Sequence, residues 1–171
     1  MLVNRAGTIR TIRVTHRYSF YASHRLHSPA LTDEENRAVY GKCNNPFGHG
    51  HNYVLEVSIE GEPDPMTGLV VNRSAVDELV KVKVLQLFDH RNINMDVPEF
   101  LSLVPTTENV ALVIAQRLER VWGEKFSCDG HRISRVHVQE TDRNGFEVLL
   151  RRRSNVSNPV GSIDELQRVY A

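Results

Sequence analysis

Two stretches of alternating apolar and polar residues constrain this chain more than any other feature. One phase of the first stretch holds Ile12, Val14, His16, Tyr18, Phe20, Ala22 and His24. One phase of the second holds Tyr53, Leu55, Val57 and Ile59. Because successive side chains of a strand point to opposite faces of a sheet, each stretch predicts a long strand with one buried face.

Three histidines share the apolar phases of these predicted strands. Extended backwards, the second pattern includes His51 and His49, and His24 ends the first. Imidazoles two residues apart on a strand can chelate one ion, and Gly50 between them leaves room for a close approach. Three neutral imidazoles with an open fourth position are typical of catalytic zinc. The alternative is that two are core histidines with satisfied hydrogen bonds and the third shares their phase by accident.

The rest of the chain predicts two helices and two further strands. Apolar residues at helical spacing indicate one helix from about Ser74 to Phe88 and another from about Thr107 to Trp122. Alternation returns in 136–140 and 146–150. The order strand, strand, helix, helix, strand, strand predicts an α+β fold, a four-stranded antiparallel sheet with two helices packed on one face.

Length, charge and cysteine content exclude several classes of protein. The 171 residues predict one catalytic domain, 1–153, and a tail, 154–171, to which we assign no role. Lys+Arg and Asp+Glu balance at 21 each, so net charge gives no argument for nucleic acid or a membrane surface. Two cysteines make no disulfide framework, which favours the cytoplasm. The Arg-rich, acid-free segment 1–32 also resembles a mitochondrial transit peptide, but strand alternation begins inside it.

Four more residues are candidates for chemistry. Cys43 lies in the polar segment GKCNNPFGHGH, where it can be a ligand, a nucleophile, a general base or a small buried residue. Glu140 continues the apolar phase of its strand, and a buried carboxylate needs partners. Backbone groups, an Arg side chain, or a heterocycle with two adjacent N–H donors, such as a guanine-like or pterin ring, would satisfy it. Asp89 and His90 follow a predicted helix and alone are a weak signal.

Several segments together carry a family resemblance. They are FYASHRLHSP, GKCNNPFGHGHNY, DPMTGLVVN, LFDHRNINMDVP, PTTENVA and QETD. In this order and spacing, residues 14–150 resemble the 6-pyruvoyl-tetrahydropterin synthase family. Related 6-carboxytetrahydropterin synthases have a shorter interval between the Cys and HGH than the five residues found here. A third group, which cleaves the substrate side chain, has a Glu in or beside the Cys position, and this loop has none.

The resemblance implies a fold, a reaction and an assembly. The fold is the T-fold, whose protomers join their sheets into trimeric barrels that stack as a homohexamer with active sites between subunits. The reaction is the zinc-dependent conversion of 7,8-dihydroneopterin triphosphate to 6-pyruvoyl-tetrahydropterin, with elimination of triphosphate. The enzyme is thus a phosphorus–oxygen lyase of tetrahydrobiopterin biosynthesis. Mg²⁺ accompanying the substrate triphosphate is also expected.

The resemblance also implies a role for each motif residue. His24, His49 and His51 correspond to the zinc ligands, and Cys43 to the general base. Asp89 and His90 correspond to a relay that keeps the thiol poised as thiolate. Glu140 corresponds to the pterin anchor, and the pterin pocket is bordered by Thr106, Thr107 and Glu108. Charge and location alone suggest three triphosphate ligands, namely Arg17, Arg25 and Arg91.

Two other functions compete with this interpretation. One is 6-carboxytetrahydropterin synthase of the queuosine pathway, which removes acetaldehyde from the side chain and leaves a carboxylate. The other is a catalytically silent pterin-binding protein. The joint presence of Cys43, Asp89 and His90 argues against a binder, because pterin binding alone does not require them.

Overall fold

The two alternating stretches form the longest strands of the computed structural model, which describes residues 11–126 and 130–151. Strand β1 (Ile12–His24) pairs antiparallel with β2 (His49–Gly61). The register is unbroken, from Ile12 opposite Gly61 to His24 opposite His49. Cross-strand neighbours in such a pair project to the same face. The predicted strands are therefore confirmed, and their pairing brings the three histidines to one end of the sheet.

Three more strands complete the sheet, which therefore has five strands where the sequence predicted four. They are β3 (Arg91–Asn92), β4 (Arg132–Thr141) and β5 (Asn144–Leu149), in the spatial order β3-β1-β2-β4-β5. The additional strand, β3, pairs parallel with Ala22 and Ser23. The chain turns back along the edge of β1 here, and the His90 N–H donates to the Tyr21 carbonyl at 2.6 Å. A two-residue strand is too short for alternation to reveal it.

The helices are α1 (Asp33–Tyr40), α2 (Arg73–Val80), α3 (Gln86–Phe88), α4 (Ile93–Asp96) and α5 (Thr107–Lys125). A π-helical segment, Lys81–Leu85, joins α2 to α3, so the predicted helix is continuous but not uniformly α-helical. Both long helices are capped slightly before the predicted starts. The side chains of Asn72 and Thr106 accept the capping bonds, from the N–H groups of Ala75 and Asn109.

The core lies between one face of the sheet and the helices, as the α+β prediction requires. Its fully buried aromatic side chains include Phe20, Tyr53 and Phe88. The opposite face carries ion pairs, such as Arg13–Glu60 at 2.5 Å and Arg135–Glu56 at 3.0 Å. No helix in the described parts of the chain has the length and apolar character needed to cross a membrane. The predicted tail lies outside the described residues.

A buried asparagine organises the connection from β1 to α1. The Asn36 side chain is fully buried and makes four hydrogen bonds to backbone groups. Its Oδ1 accepts from the Ser28 N–H at 2.7 Å, and its Nδ2 donates to the carbonyls of Ser28, Leu31 and Thr32. Because buried backbone groups need partners, this one side chain fixes the turn.

Replacing Asn36 with Ala should therefore destabilise the protein. The variant leaves buried backbone groups unpaired, and we expect a loss of about 1–3 kcal/mol in the free energy of unfolding. Urea unfolding at matched protein concentration measures it. The control is Val39→Ala on the same helix, where the side chain is 64% exposed, with an expected change within about 0.5 kcal/mol. Equal losses in the two variants would contradict the assignment.

Candidate metal centre and active site

Three imidazoles meet where β1 ends and β2 begins. The ring centroids of His24 and His49 are 4.9 Å apart, those of His24 and His51 are 5.0 Å apart, and those of His49 and His51 are 4.6 Å apart. His24 is fully buried. The convergence predicted from strand phase is thus present in the folded chain.

A single hydrogen bond sets the tautomer of His24. Its Nδ1 lies 2.8 Å from the Pro105 carbonyl oxygen, which can only accept, so Nδ1 carries the proton. Nε2 then presents a lone pair. It is buried without a hydrogen-bond partner, as is Nε2 of His51. A ligating histidine commonly donates its other ring N–H to a carbonyl or carboxylate in this way.

Burial favours the neutral form of two of these imidazoles. Desolvation lowers the pKa of His24 and of His51, although the nearby Glu140 carboxylate acts in the opposite direction on both. Neutral imidazole is the form that binds a metal ion. Two buried Nε2 atoms without hydrogen-bond partners in one cluster therefore match a divalent cation better than they match structural histidines.

Cys43 reaches the same cluster from a 3₁₀ turn, Gly41–Asn44. The ligand atoms of Cys43, His24 and His49 lie within 4.8 Å of one another. The loop after this turn passes close to the His24 backbone at Gly48, which has φ of 68° and where an added Cβ would lie 2.7 Å from the His24 carbonyl oxygen. In the chain alone, burial raises the pKa of the Cys43 thiol, and the Glu140 carboxylate raises it further. A cation at the imidazoles would act in the opposite direction.

Glu140 lies on the other side of the imidazoles. Its Oε1 is 3.6 Å from Nε2 of both His24 and His51, and the three form a second set of atoms able to hold an ion. The Tyr53 hydroxyl donates to Oε1 at 3.4 Å, and Asn144 Nδ2 donates to Oε2 at 3.0 Å. Burial and Glu140 raise the pKa of Tyr53, so its hydroxyl remains a donor.

Sequence reasoning missed Tyr53 and Asn144 as parts of this site. Tyr53 was assigned to the core because it continues an apolar phase, and it is indeed fully buried. That phase also contains His51, two residues earlier, and this was the available signal. Asn144 begins β5 after a turn, and no local pattern distinguishes it from other turn residues.

The segment Thr106–Glu108 lies next to the histidine cluster, because the preceding residue, Pro105, contacts His24. Pro105 accepts the His24 hydrogen bond, and Thr106 caps the helix that begins at Thr107. The Thr107 side chain is buried, whereas Glu108 is exposed. The predicted border of the pocket therefore lies beside the histidine cluster, at the N-terminus of α5.

Asp89 and His90 lie at the sheet edge rather than against Cys43. Asp89 Oδ1 accepts from the Tyr21 N–H at 2.9 Å and lies 3.1 Å from His90 Nδ1. The His90 ring is 5.5 Å from that of Tyr21, a residue of the phase opposite to His24. His90 is exposed and has φ of 58°, a backbone conformation that residues other than glycine rarely adopt. No contact among the described residues joins this pair to the thiol.

The three candidate triphosphate ligands occupy different places. Arg17 is exposed on the sheet face that the helices leave open. Arg25 is half-buried, and its Nε donates to the Asn44 carbonyl at 3.3 Å. Arg91 is exposed beside an open groove of about 550 Å³ that Gly50, His51 and His90 also line. The single chain thus does not gather the three guanidinium groups at one point.

The chain is similar to proteins of one family along most of its length. A family model described as 6-pyruvoyl tetrahydropterin synthase matches residues 13–150. A Homo sapiens protein named 6-pyruvoyl tetrahydrobiopterin synthase is 46% identical over 132 residues, 77% of this chain and 87% of the human one. A Dictyostelium discoideum protein of the same name is 42% identical over 135 residues, 79% of this chain and 93% of its own.

A solved structure agrees with these sequence matches. The 6-pyruvoyl tetrahydropterin synthase of Caenorhabditis elegans superposes with a TM-score of 0.76 and 37% identity, covering 84% of this chain and 98% of the other. The expected T-fold is thereby confirmed.

The lowered histidine pKa values predict acid sensitivity of the metal-free protein. Below about pH 6.5 the unfolded chain protonates its histidines while His24 and His51 stay neutral in the folded chain, which favours unfolding. Stability should therefore fall as pH drops from there toward the lower folded pKa values. The variant His51→Gln should show a shallower fall. Urea unfolding across this range with a chelator present measures it, and curves of equal slope would contradict the prediction.

Proposed function

Because the chain belongs to the 6-pyruvoyl tetrahydropterin synthase family, we propose that it converts 7,8-dihydroneopterin triphosphate to 6-pyruvoyl-tetrahydropterin and inorganic triphosphate. One observation carries the proposal. His24, His49, His51, Cys43 and Glu140 meet at one site, where metal ligands, a proton acceptor and a carboxylate are all within reach of a small molecule. Tetrahydrobiopterin biosynthesis is the corresponding pathway.

We assign zinc to the three imidazoles. Support comes from the neutral state of His24 and His51, the unpartnered Nε2 atoms and the Pro105 carbonyl that orients one ring. When bound, zinc supplies a Lewis acid that polarises oxygens of the substrate side chain. Three histidines and an open position are the usual ligand set for such an ion.

The remaining residues bind the pterin and move the proton. Glu140 accepts from adjacent N–H donors of the ring, and the bonds from Tyr53 and Asn144 hold its two oxygens in place. Cys43 accepts the proton from the substrate side chain as the C–O bond to the triphosphate breaks. Thr106 and Thr107 border the pocket beside His24. Mg²⁺ bound to the triphosphate would neutralise part of its charge.

We further propose that the active protein is a hexamer built from two trimers. The outer edges of the sheet support this, since edge strands present unpaired backbone groups to a neighbouring chain. In such an assembly Asp89 and His90 of one subunit would act on the Cys43 of another, consistent with their position at the β3 edge. The free thiol of Cys43 suits a reducing compartment, and we place the protein in the cytoplasm.

The zinc assignment predicts loss of metal on removal of a ligand. His49→Ala should lose most bound zinc, because two imidazoles are too few for a stable site. The control is His137→Ala, which removes an imidazole outside the cluster. His137 has an unpartnered buried nitrogen and lies on β4, 3.6 Å from Glu56. This control variant should retain zinc. Elemental analysis of both variants after dialysis decides, and full zinc in His49→Ala would contradict the assignment.

The proposed reaction predicts a defined product and a defined loss in Cys43→Ala. Wild-type protein incubated with 7,8-dihydroneopterin triphosphate should yield a product whose mass retains the three-carbon side chain, and a chelator should abolish it. Cys43→Ala should keep zinc and pterin binding but lose about 10²–10⁴-fold in kcat, the usual contribution of a positioned base. Glu140→Gln should instead lose pterin binding.

Product mass, zinc content and rate separate the outcomes. A product carrying only a carboxylate would identify a 6-carboxytetrahydropterin synthase, and no product at all would indicate a pterin-binding protein. Loss of zinc in Cys43→Ala would make the thiol a metal ligand, which the distances to His24 and His49 also allow. A rate within a few fold of wild type would move the base elsewhere.

A further inference from the structure

We propose that Asn44 is a positioning residue that places the Cys43 thiol through the donor of its side-chain amide. The inference rests on the proposed function, in which Cys43 accepts a proton. Asn44 is buried, with 8% of its surface exposed, in a loop whose neighbours are mostly exposed. A buried amide in a surface loop must be satisfied by partners, and its partners reveal what it holds.

The partners of Asn44 lie in the segment that follows His24. Its Nδ2 donates to the Leu26 carbonyl at 2.7 Å and lies 3.2 Å from His27 Nδ1. In the opposite direction, the Leu26 N–H donates to the Cys43 carbonyl at 2.8 Å. These two bonds to Leu26 form a clasp between the Cys43 turn and the chain two residues beyond His24.

The turn that carries Cys43 is weakly held without this clasp. Gly41–Asn44 is a single 3₁₀ turn with no side-chain cap, and its closing bond from the Asn45 N–H to the Lys42 carbonyl is 3.3 Å long. Short 3₁₀ turns have poor hydrogen-bond geometry and little intrinsic stability. Contacts from outside the turn must therefore fix the direction of the thiol.

Arg25 and Asn94 support the clasp from behind. Arg25 Nε donates to the Asn44 carbonyl at 3.3 Å. The Asn94 side chain pairs with both backbone groups of Arg25, accepting from its N–H at 2.8 Å and donating to its carbonyl at 3.0 Å. Helix α4 thus anchors the segment after His24, and that segment anchors Asn44. The side-chain amide of Asn44 thus connects the turn that carries Cys43 to the segment held by α4.

The neighbouring asparagine provides a matched control. Asn45 is exposed and uses its acceptor, since its Oδ1 accepts from the Phe47 N–H at 3.1 Å. An Asn→Asp change keeps the shape and every acceptor but removes the donor. Asn45→Asp therefore preserves its bond. Asn44→Asp places a carboxylate against the Leu26 carbonyl and breaks the side-chain bond of the clasp, leaving only the backbone bond from Leu26 to Cys43.

The test compares Asn44→Asp with Asn45→Asp under identical conditions. Asn44→Asp should lose about 10²-fold in kcat, the order expected when a reacting group is displaced by about 1 Å. Its KM and zinc content should stay near wild type, because contacts outside the clasp hold the other site residues. His24 and His49 are held by the β1–β2 pairing and the Pro105 bond, and Glu140 by Tyr53 and Asn144. Asn45→Asp should match wild type in all three. Asn44→Ala, which removes the donor without adding charge, should follow Asn44→Asp.

A second measurement does not depend on the reaction. The rate at which iodoacetamide alkylates Cys43, read from the mass of the Cys43 peptide, should rise several-fold in Asn44→Asp and not in Asn45→Asp. This holds even if wild type proves inactive on the pterin, in which case the proposed function fails and the positioning role stands. Unchanged alkylation and kcat in the Asn44 variants would overturn the inference. So would failure of both Asn44 variants to fold beside a folded Asn45→Asp, which would assign Asn44 to stability alone.

Discussion

The antiparallel register of β1 and β2 is the constraint on which the site depends. It pairs His24 with His49 across 13 residues of continuous ladder. A slip of one residue would send every side chain of one strand to the other face, and the imidazoles of the two strands would no longer meet. The register is fixed by burial of Phe20, Tyr53 and Leu55 on the same face. The free energy that brings the three imidazoles together is therefore mostly hydrophobic and spread along the strands.

The electrostatics of the site follow from this arrangement. The sheet and the start of α5 enclose the imidazoles, and their desolvation favours the neutral, ligating form. Glu140 is the one carboxylate within 3.6 Å of both Nε2 atoms among the described groups. In the chain alone it raises the pKa of Cys43 and of Tyr53. A cation at the histidines would lower the pKa values of both Cys43 and Tyr53, so binding of the ion and ionisation of the thiol are coupled.

Sequence predicted the parts of this structure that follow a local period. Strand alternation placed His24, His49 and His51 on one face, because phase along a strand is a local property. It could not place Asp89 and His90, since the edge strand that positions them is two residues long and depends on a backbone bond to Tyr21. Nor could it reveal the Pro105–His24 bond or the Asn144–Glu140 bond. Each joins distant segments or a turn, and no periodic pattern records such a contact.

The π-helical segment between α2 and α3 has a consequence for the rotational phase of the chain. Val76, Val80, Val84 and Phe88 are all fully buried at intervals of four residues. On a regular α-helix this interval drifts by about 40° per step, so such a series would wind out of the core. The wider turn of Lys81–Leu85 cancels part of that drift. A shortening by one residue there would rotate everything that follows by about 100°. The direction in which Asp89 and His90 project along the sheet edge thus depends on the helical pitch of a segment that ends four residues before Asp89.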